Sequence, residues 1–105
     1  MITLLALYRR PEGGDDALEI FFRRYHDEHL PLVAGTPGLR ATRVQRVSQA
    51  LMGDSEIVLV TAMDFDDRTA LDTGLASDAM RQAGRNLREI APGLATLLVV
   101  EDERG

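Results

Sequence analysis

Three segments of this chain are apolar on both sides of an alternating pattern, and no other feature constrains the fold as strongly. Within residues 2–8, Ile2, Leu4, Ala6 and Tyr8 fall on one face of a strand, and Leu5 and Leu7 on the other. From Ile57 to Phe65, Ile57, Leu59 and Met63 oppose Val58, Val60 and Ala62. From Thr96 to Glu101, Leu98 and Val100 oppose Leu97 and Val99. An antiparallel sheet with one wet face alternates cleanly between apolar and polar residues. Here both faces need cover. Helices of the same chain can cover one of them, and a second copy of the chain is the simplest cover for the other. The expectation is a homodimer, sheet against sheet, around a barrel-like interior.

The punctuation between these runs gives the element order. Pro11-Glu12-Gly13-Gly14 breaks the chain after the first strand. Asp16 and Glu19 have the spacing of a capping box, which predicts a helix from there to about Leu32. Gly35-Thr36-Pro37-Gly38 closes it, and residues 39–50 read as a second strand ahead of the turn at Gly53-Asp54-Ser55. Asp66-Asp67 caps a short helix through Ala70, Leu71 and Leu75. Ser77-Asp78 caps another, through Met80, Ala83, Gly84, Leu87 and Ile90, which Pro92-Gly93 ends. The order β-α-β-β-α-β is the split βαβ arrangement of an α+β, ferredoxin-like fold with an antiparallel sheet. All 105 residues fit one such domain.

Composition excludes several chemistries. With no cysteine there is no disulfide, thiolate nucleophile or cysteine metal site. All twelve basic residues are arginine, so no lysine side chain can form a Schiff base. The net charge of −5, without a basic run, argues against a nucleic-acid partner. No apolar stretch approaches the ~20 residues that span a bilayer. The opening residues read as a strand rather than a signal peptide, because Arg9 and Arg10 follow the apolar run. A cytoplasmic location, away from membranes, is the expectation.

The candidate site lies on the first helix. Leu18, Phe21, Phe22, Tyr25, His29 and Leu32 recur at spacings of three and four and share one face. That stripe carries an imidazole, whose proton chemistry is available near neutral pH. His29 is the candidate general acid/base. The competing reading is a half-buried histidine that satisfies the helix end. Tyr25, one turn earlier, is the candidate to orient His29 or donate to an oxyanion; its other reading is core packing. Tyr8, Phe21 and Phe22 are candidate substrate-binding residues, as is Arg40, which with Arg46 would hold an anionic group or else simply protect an edge strand. His26 lies at the edge of the stripe. No third ligand joins it and His29, so no metal is expected. The glycines form no strand-Gly-x-Gly-x-x-Gly-helix unit, so no nucleotide cofactor is expected.

Phe21-x-x-Arg24-Tyr25-x-x-x-His29-x-Pro31-Leu32, with Pro37-Gly38-Leu39 downstream, resembles the central signature of the EthD family of dimeric α/β-barrel proteins. Ala76-Ser77-Asp78-Ala79-Met80, then 83–87 and the closing strand, resembles that family's C-terminal half. One position departs: members often carry an aromatic where this chain has Arg24. The resemblance implies the dimeric barrel. It implies a role in degradation or biosynthesis of apolar or aromatic organic molecules, with oxidoreductase, monooxygenase or lyase activity and no nucleotide cofactor. Two functions are compatible with these residues. One is a small enzyme with His29 as general acid/base. The other is a non-catalytic dimer that holds a hydrophobic metabolite.

Overall fold

The computed structural model describes residues 1–103. Four strands form one antiparallel sheet: β1 (Ile2–Arg9), β2 (Ala41–Arg46), β3 (Ile57–Phe65) and β4 (Ala95–Glu101), in the order β2-β3-β1-β4. The two most apolar strands, β1 and β3, take the centre, where both edges of their backbone are hydrogen-bonded. Register brings Ile2 opposite Phe65, Leu4 opposite Met63, Ala6 opposite Thr61 and Tyr8 opposite Leu59. All of these point toward the helices and all are buried. Helices α1 (Gly14–Arg24), α2 (Leu30–Ala34), α3 (Arg68–Leu75) and α4 (Asp78–Ile90) cover that face. The result is the α+β, ferredoxin-like arrangement expected from the element order.

The opposite face carries Leu5 and Leu7 on β1, Val60 and Ala62 on β3, and Leu98 and Val100 on β4. Among the described residues no helix lies over it. Leu5, Leu7, Val60 and Ala62 are half-buried and Leu98 and Val100 exposed, and on the edge strand β4 the helix-side Leu97 and Val99 are exposed as well.

Three boundaries differ from the sequence reading. Helix α1 starts at Gly14, two residues before the expected cap, and no side chain caps it. Gly13 and Gly14 both adopt positive φ (109° and 77°), so the chain reverses through two left-handed residues before the first turn. Asp15 and Asp16 then lie in that turn, where carboxylates suit the positive end of the helix dipole. Strand β2 is shorter than 39–50: its ladder with β3 runs from Ala41, opposite Asp64, to Arg46, opposite Leu59, and beyond it the Arg40 and Val47 amides each reach one carbonyl of β3, Asp64 and Val58. The caps of α3 and α4 are as read: Asp67 accepts from the Ala70 amide at 2.9 Å and Ser77 from the Met80 amide at 3.2 Å.

The third difference matters most for the site. The first helix is not regular through Leu32. Residues Tyr25–His29 form a π-helical turn, in which the Leu30 amide reaches the Tyr25 carbonyl five residues back. Pro31 supplies the cause. It has no N–H for the carbonyl four residues before it, and its ring crowds that carbonyl in a regular helix. Widening the preceding turn relieves the crowding, and α2 resumes with Pro31 in its first turn.

Gly74 is where α3 touches the sheet. A Cβ there would lie 2.8 Å from the Phe65 ring, 3.1 Å from the Thr36 methyl and 3.2 Å from the Pro37 carbonyl. Gly74→Ala is expected to lower stability by about 1–3 kcal/mol through overpacking. A denaturation midpoint equal to the wild type would show that the ring gives way freely.

Candidate functional site

Tyr8, at the end of β1, and Tyr25, at the start of the π turn, meet beneath the helix layer. Their rings stand edge to face with centroids 5.0 Å apart. The Tyr25 hydroxyl donates to the Tyr8 oxygen at 3.1 Å and lies 2.6 Å from the Thr61 hydroxyl. Each hydroxyl has one hydrogen. With that of Tyr25 given to Tyr8, the Thr61 hydroxyl must be the donor to Tyr25. The hydrogens then run Thr61 to Tyr25 to Tyr8, and the hydrogen of Tyr8 is left to point onward. Burial pushes the pKa of both tyrosines up, so both stay neutral and act as hydrogen-bond donors rather than bases.

His29, at the end of the π turn, is buried with its ring tilted over that of Tyr25, centroids 4.9 Å apart. Its Nδ1 lies 3.3 Å from the Asn86 side-chain oxygen on α4. Burial lowers its pKa from the ordinary 6.5, while Asn86 and the backbone of Ala83 partly oppose the shift. The ring is therefore neutral at physiological pH, the form that accepts a proton. The unfolded chain binds this proton more readily than the folded one, so the stabilisation is complete above pH 6.5 and is lost as pH falls toward the lower folded value. A thermal midpoint that falls on acidification below pH 6.5 in the wild type, and falls less in His29→Gln, is the expected result. Parallel curves would contradict it.

Tyr8 and His29 both line a cavity of about 150 Å³ between sheet and helices. Its other walls are almost wholly apolar: Leu4 and Met63 from the sheet, Val33 from α2, Met80, Ala83 and Leu87 from α4. It opens between Leu75 and Leu97, which also line it and are both exposed.

The remaining candidates fall elsewhere. Tyr25 does not line the cavity. It reaches it only through Tyr8 and by its ring against His29. Phe21 packs in the aromatic cluster, 5.8 Å from the rings of Tyr8, Phe22 and Tyr25. Phe22 lies under the Arg46 guanidinium at 4.0 Å. Both build the wall behind the site rather than its lining. Arg40 stands exposed ahead of the edge strand β2, paired with Asp66 at 3.0 Å, so its charge serves the edge and not the cavity. His26 is exposed while His29 is buried, so the two histidines do not converge. Among the described residues no three His, Cys, Asp or Glu side chains are grouped to hold a metal ion, and no helix is long and apolar enough to cross a membrane.

Two participants escaped the sequence reading. Thr61 is the polar residue in the inward row Leu59, Thr61, Met63, Phe65, and that break in an apolar alternation was a usable signal. Asn86 carried none, because an asparagine on a helix flank is unremarkable until its partners are known.

These features define a ferredoxin-like α+β protein with an apolar cavity under its helices. An EthD (ethyl tert-butyl ether d) family protein from Bacillus halodurans is 32% identical to this chain over 98% of it and 99% of that chain, with a TM-score of 0.87. The chain belongs to the EthD family. A dimeric protein with a ferredoxin-like fold from Bacteroides fragilis superposes with a TM-score of 0.71 at 13% identity, over 96% of this chain and 95% of that one. SnoaB, a cofactor-independent oxygenase from Streptomyces nogalater, has a TM-score of 0.63 at 14% identity, over 99% and 94%. At these identities the last two show the fold alone. No protein-family model and no curated protein matches the chain.

Proposed function

We propose that this chain is a single-domain cytoplasmic enzyme, acting as a homodimer, that moves a proton on a small apolar molecule without a nucleotide cofactor. One observation carries the reading: His29 and Tyr8 are the two side chains with acid–base or hydrogen-bonding hydrogens on an otherwise apolar cavity of about 150 Å³. An apolar cavity of that volume suits a molecule of about the size of benzene. His29, neutral, takes a proton from the bound molecule and later returns it or passes it on. Tyr8 offers its hydrogen to an oxygen of the same molecule, and Tyr25 and Thr61 keep that hydrogen aimed outward. The substrate class is therefore a small ring or chain with one oxygen function. Oxygenase, lyase or cyclase chemistry can follow such a proton transfer.

Dimerisation rests on the uncovered row of Leu5, Leu7, Val60, Ala62, Leu98 and Val100, and the Bacteroides fragilis protein of this fold is described as dimeric. Sedimentation at micromolar concentration should give twice the mass of one chain; a clean monomer would contradict the dimer.

The cavity is tested with cyclohexanone, a benzene-sized ketone, and the methyl signals of the four methionines. Met63 and Met80 line the cavity, while Met1 and Met52 are exposed. Cyclohexanone should shift Met63 and Met80 and leave Met1 and Met52 in place. Shifts confined to the exposed pair would remove the cavity from the account.

A further inference from the structure

The buried ring of His29 is tied to a chain of side chains that leaves the cavity on its far side. Arg24 grips Glu28 with two bonds, Nε to Oε2 at 2.7 Å and Nη2 to Oε1 at 3.1 Å, and its Nη2 also lies 3.6 Å from Glu89. Arg24 foremost, with help from the Asn86 amide, holds the Glu28 carboxyl below the usual carboxylate range, so Glu28 is ionised and can only accept hydrogen bonds. Asn86 Nδ2 donates to Glu28 Oε1 at 2.9 Å. That contact settles which way the amide faces, because its oxygen against a carboxylate would repel. The Asn86 oxygen is then the atom facing His29, and an oxygen at 3.3 Å from Nδ1 calls for a hydrogen on that nitrogen.

We propose that Arg24, Glu28 and Asn86 act as positioning residues that hold the neutral His29 in one tautomer, with its hydrogen on Nδ1 and its lone pair on Nε2. The π turn makes this possible. Glu28 and His29 are neighbours in sequence, and both reach the same asparagine on α4. Consecutive side chains diverge less around a wider turn than around a regular one. The Arg24–Glu28 pair is more than a third exposed on both sides and is worth little as a stabilising contact. Its consequence is orientation. A histidine side chain in water favours the opposite tautomer, so without the chain Nε2 would mostly carry the hydrogen and could not then serve as a base. The inference deepens the proton-transfer reading and rests on it for its use in catalysis, but the tautomer is measurable without any substrate.

The test is nitrogen-15 NMR of the full chain with labelled histidine, at slightly alkaline pH. There are two histidines, and exposed His26 serves as the internal reference for the solution mixture. Wild-type His29 should show a protonated Nδ1 and a bare Nε2. Asn86→Leu should move it toward the tautomer mixture of His26. Glu28→Gln should do so as well, since an amide no longer dictates which way Asn86 faces; this partly exposed site serves if Asn86→Leu does not fold. A wild-type His29 with its hydrogen on Nε2, or a tautomer unmoved in the folded variants, would overturn the proposal. If the tautomer is as assigned but His29→Gln retains full activity, the proton-transfer function fails while the orienting chain stands.

Discussion

His29→Gln is expected to lower turnover by about 10²–10⁴-fold, the usual contribution of one positioned acid–base group. Glutamine fills much of the same space and can still donate to the Asn86 oxygen, so the helix and the cavity should survive. The loss should therefore fall on kcat. Cyclohexanone should still shift the Met63 and Met80 signals of the variant. This separates the two functions under consideration. An enzyme that uses His29 loses turnover and keeps binding. A metabolite-holding protein shows the same binding in both forms and no turnover in either.

Phe22→Ala should cost about 3–5 kcal/mol of stability, the range for truncating a buried phenylalanine. The side chain is buried, packs against Phe21 with centroids 5.8 Å apart and is covered by Arg46 at 4.0 Å. It lies just before the π turn and fixes how α1 sits on the sheet. Since 1 kcal/mol shifts the midpoint of a chain of this size by roughly 4–8 °C, the fall should exceed about 10 °C. A fall of about one degree would mean that the aromatic cluster does not anchor the helix.

The fold was legible because its signals are local and repeated. Alternation in residues 2–8 and 57–65 located the central strands and grouped Ile2, Leu4, Ala6 and Tyr8 on one face, which the structure shows to be the covered one. The caps at Asp67 and Ser77 were readable because their side chains bond amides three residues on. Spacing also placed Phe21, Phe22, Tyr25 and His29 together in the buried layer. It could not say which of them would reach the cavity. Regular helical spacing assumes a regular helix, and the π turn breaks that assumption over Tyr25–His29. Pro31 was the visible warning. Tyr8 lines the cavity as expected and Tyr25 does not, for a related reason: which hydroxyl faces the cavity depends on how β1 meets the π turn, a long-range packing result. Arg40 misled because strand parity says which face a charge is on, not that Asp66 stands beside it.

The measurement that bears most directly on the account is hydrogen exchange catalysed by the site. Cyclohexanone in deuterated water exchanges the hydrogens next to its carbonyl slowly, and proton NMR follows their loss. The wild-type protein should accelerate that exchange, with His29 taking the hydrogen and Tyr8 bonding the carbonyl oxygen. His29→Gln should abolish the acceleration, and Tyr8→Phe should weaken it while cyclohexanone still shifts Met63 and Met80. Equal exchange rates with wild type, with His29→Gln and with no protein would contradict the claim that this cavity moves protons.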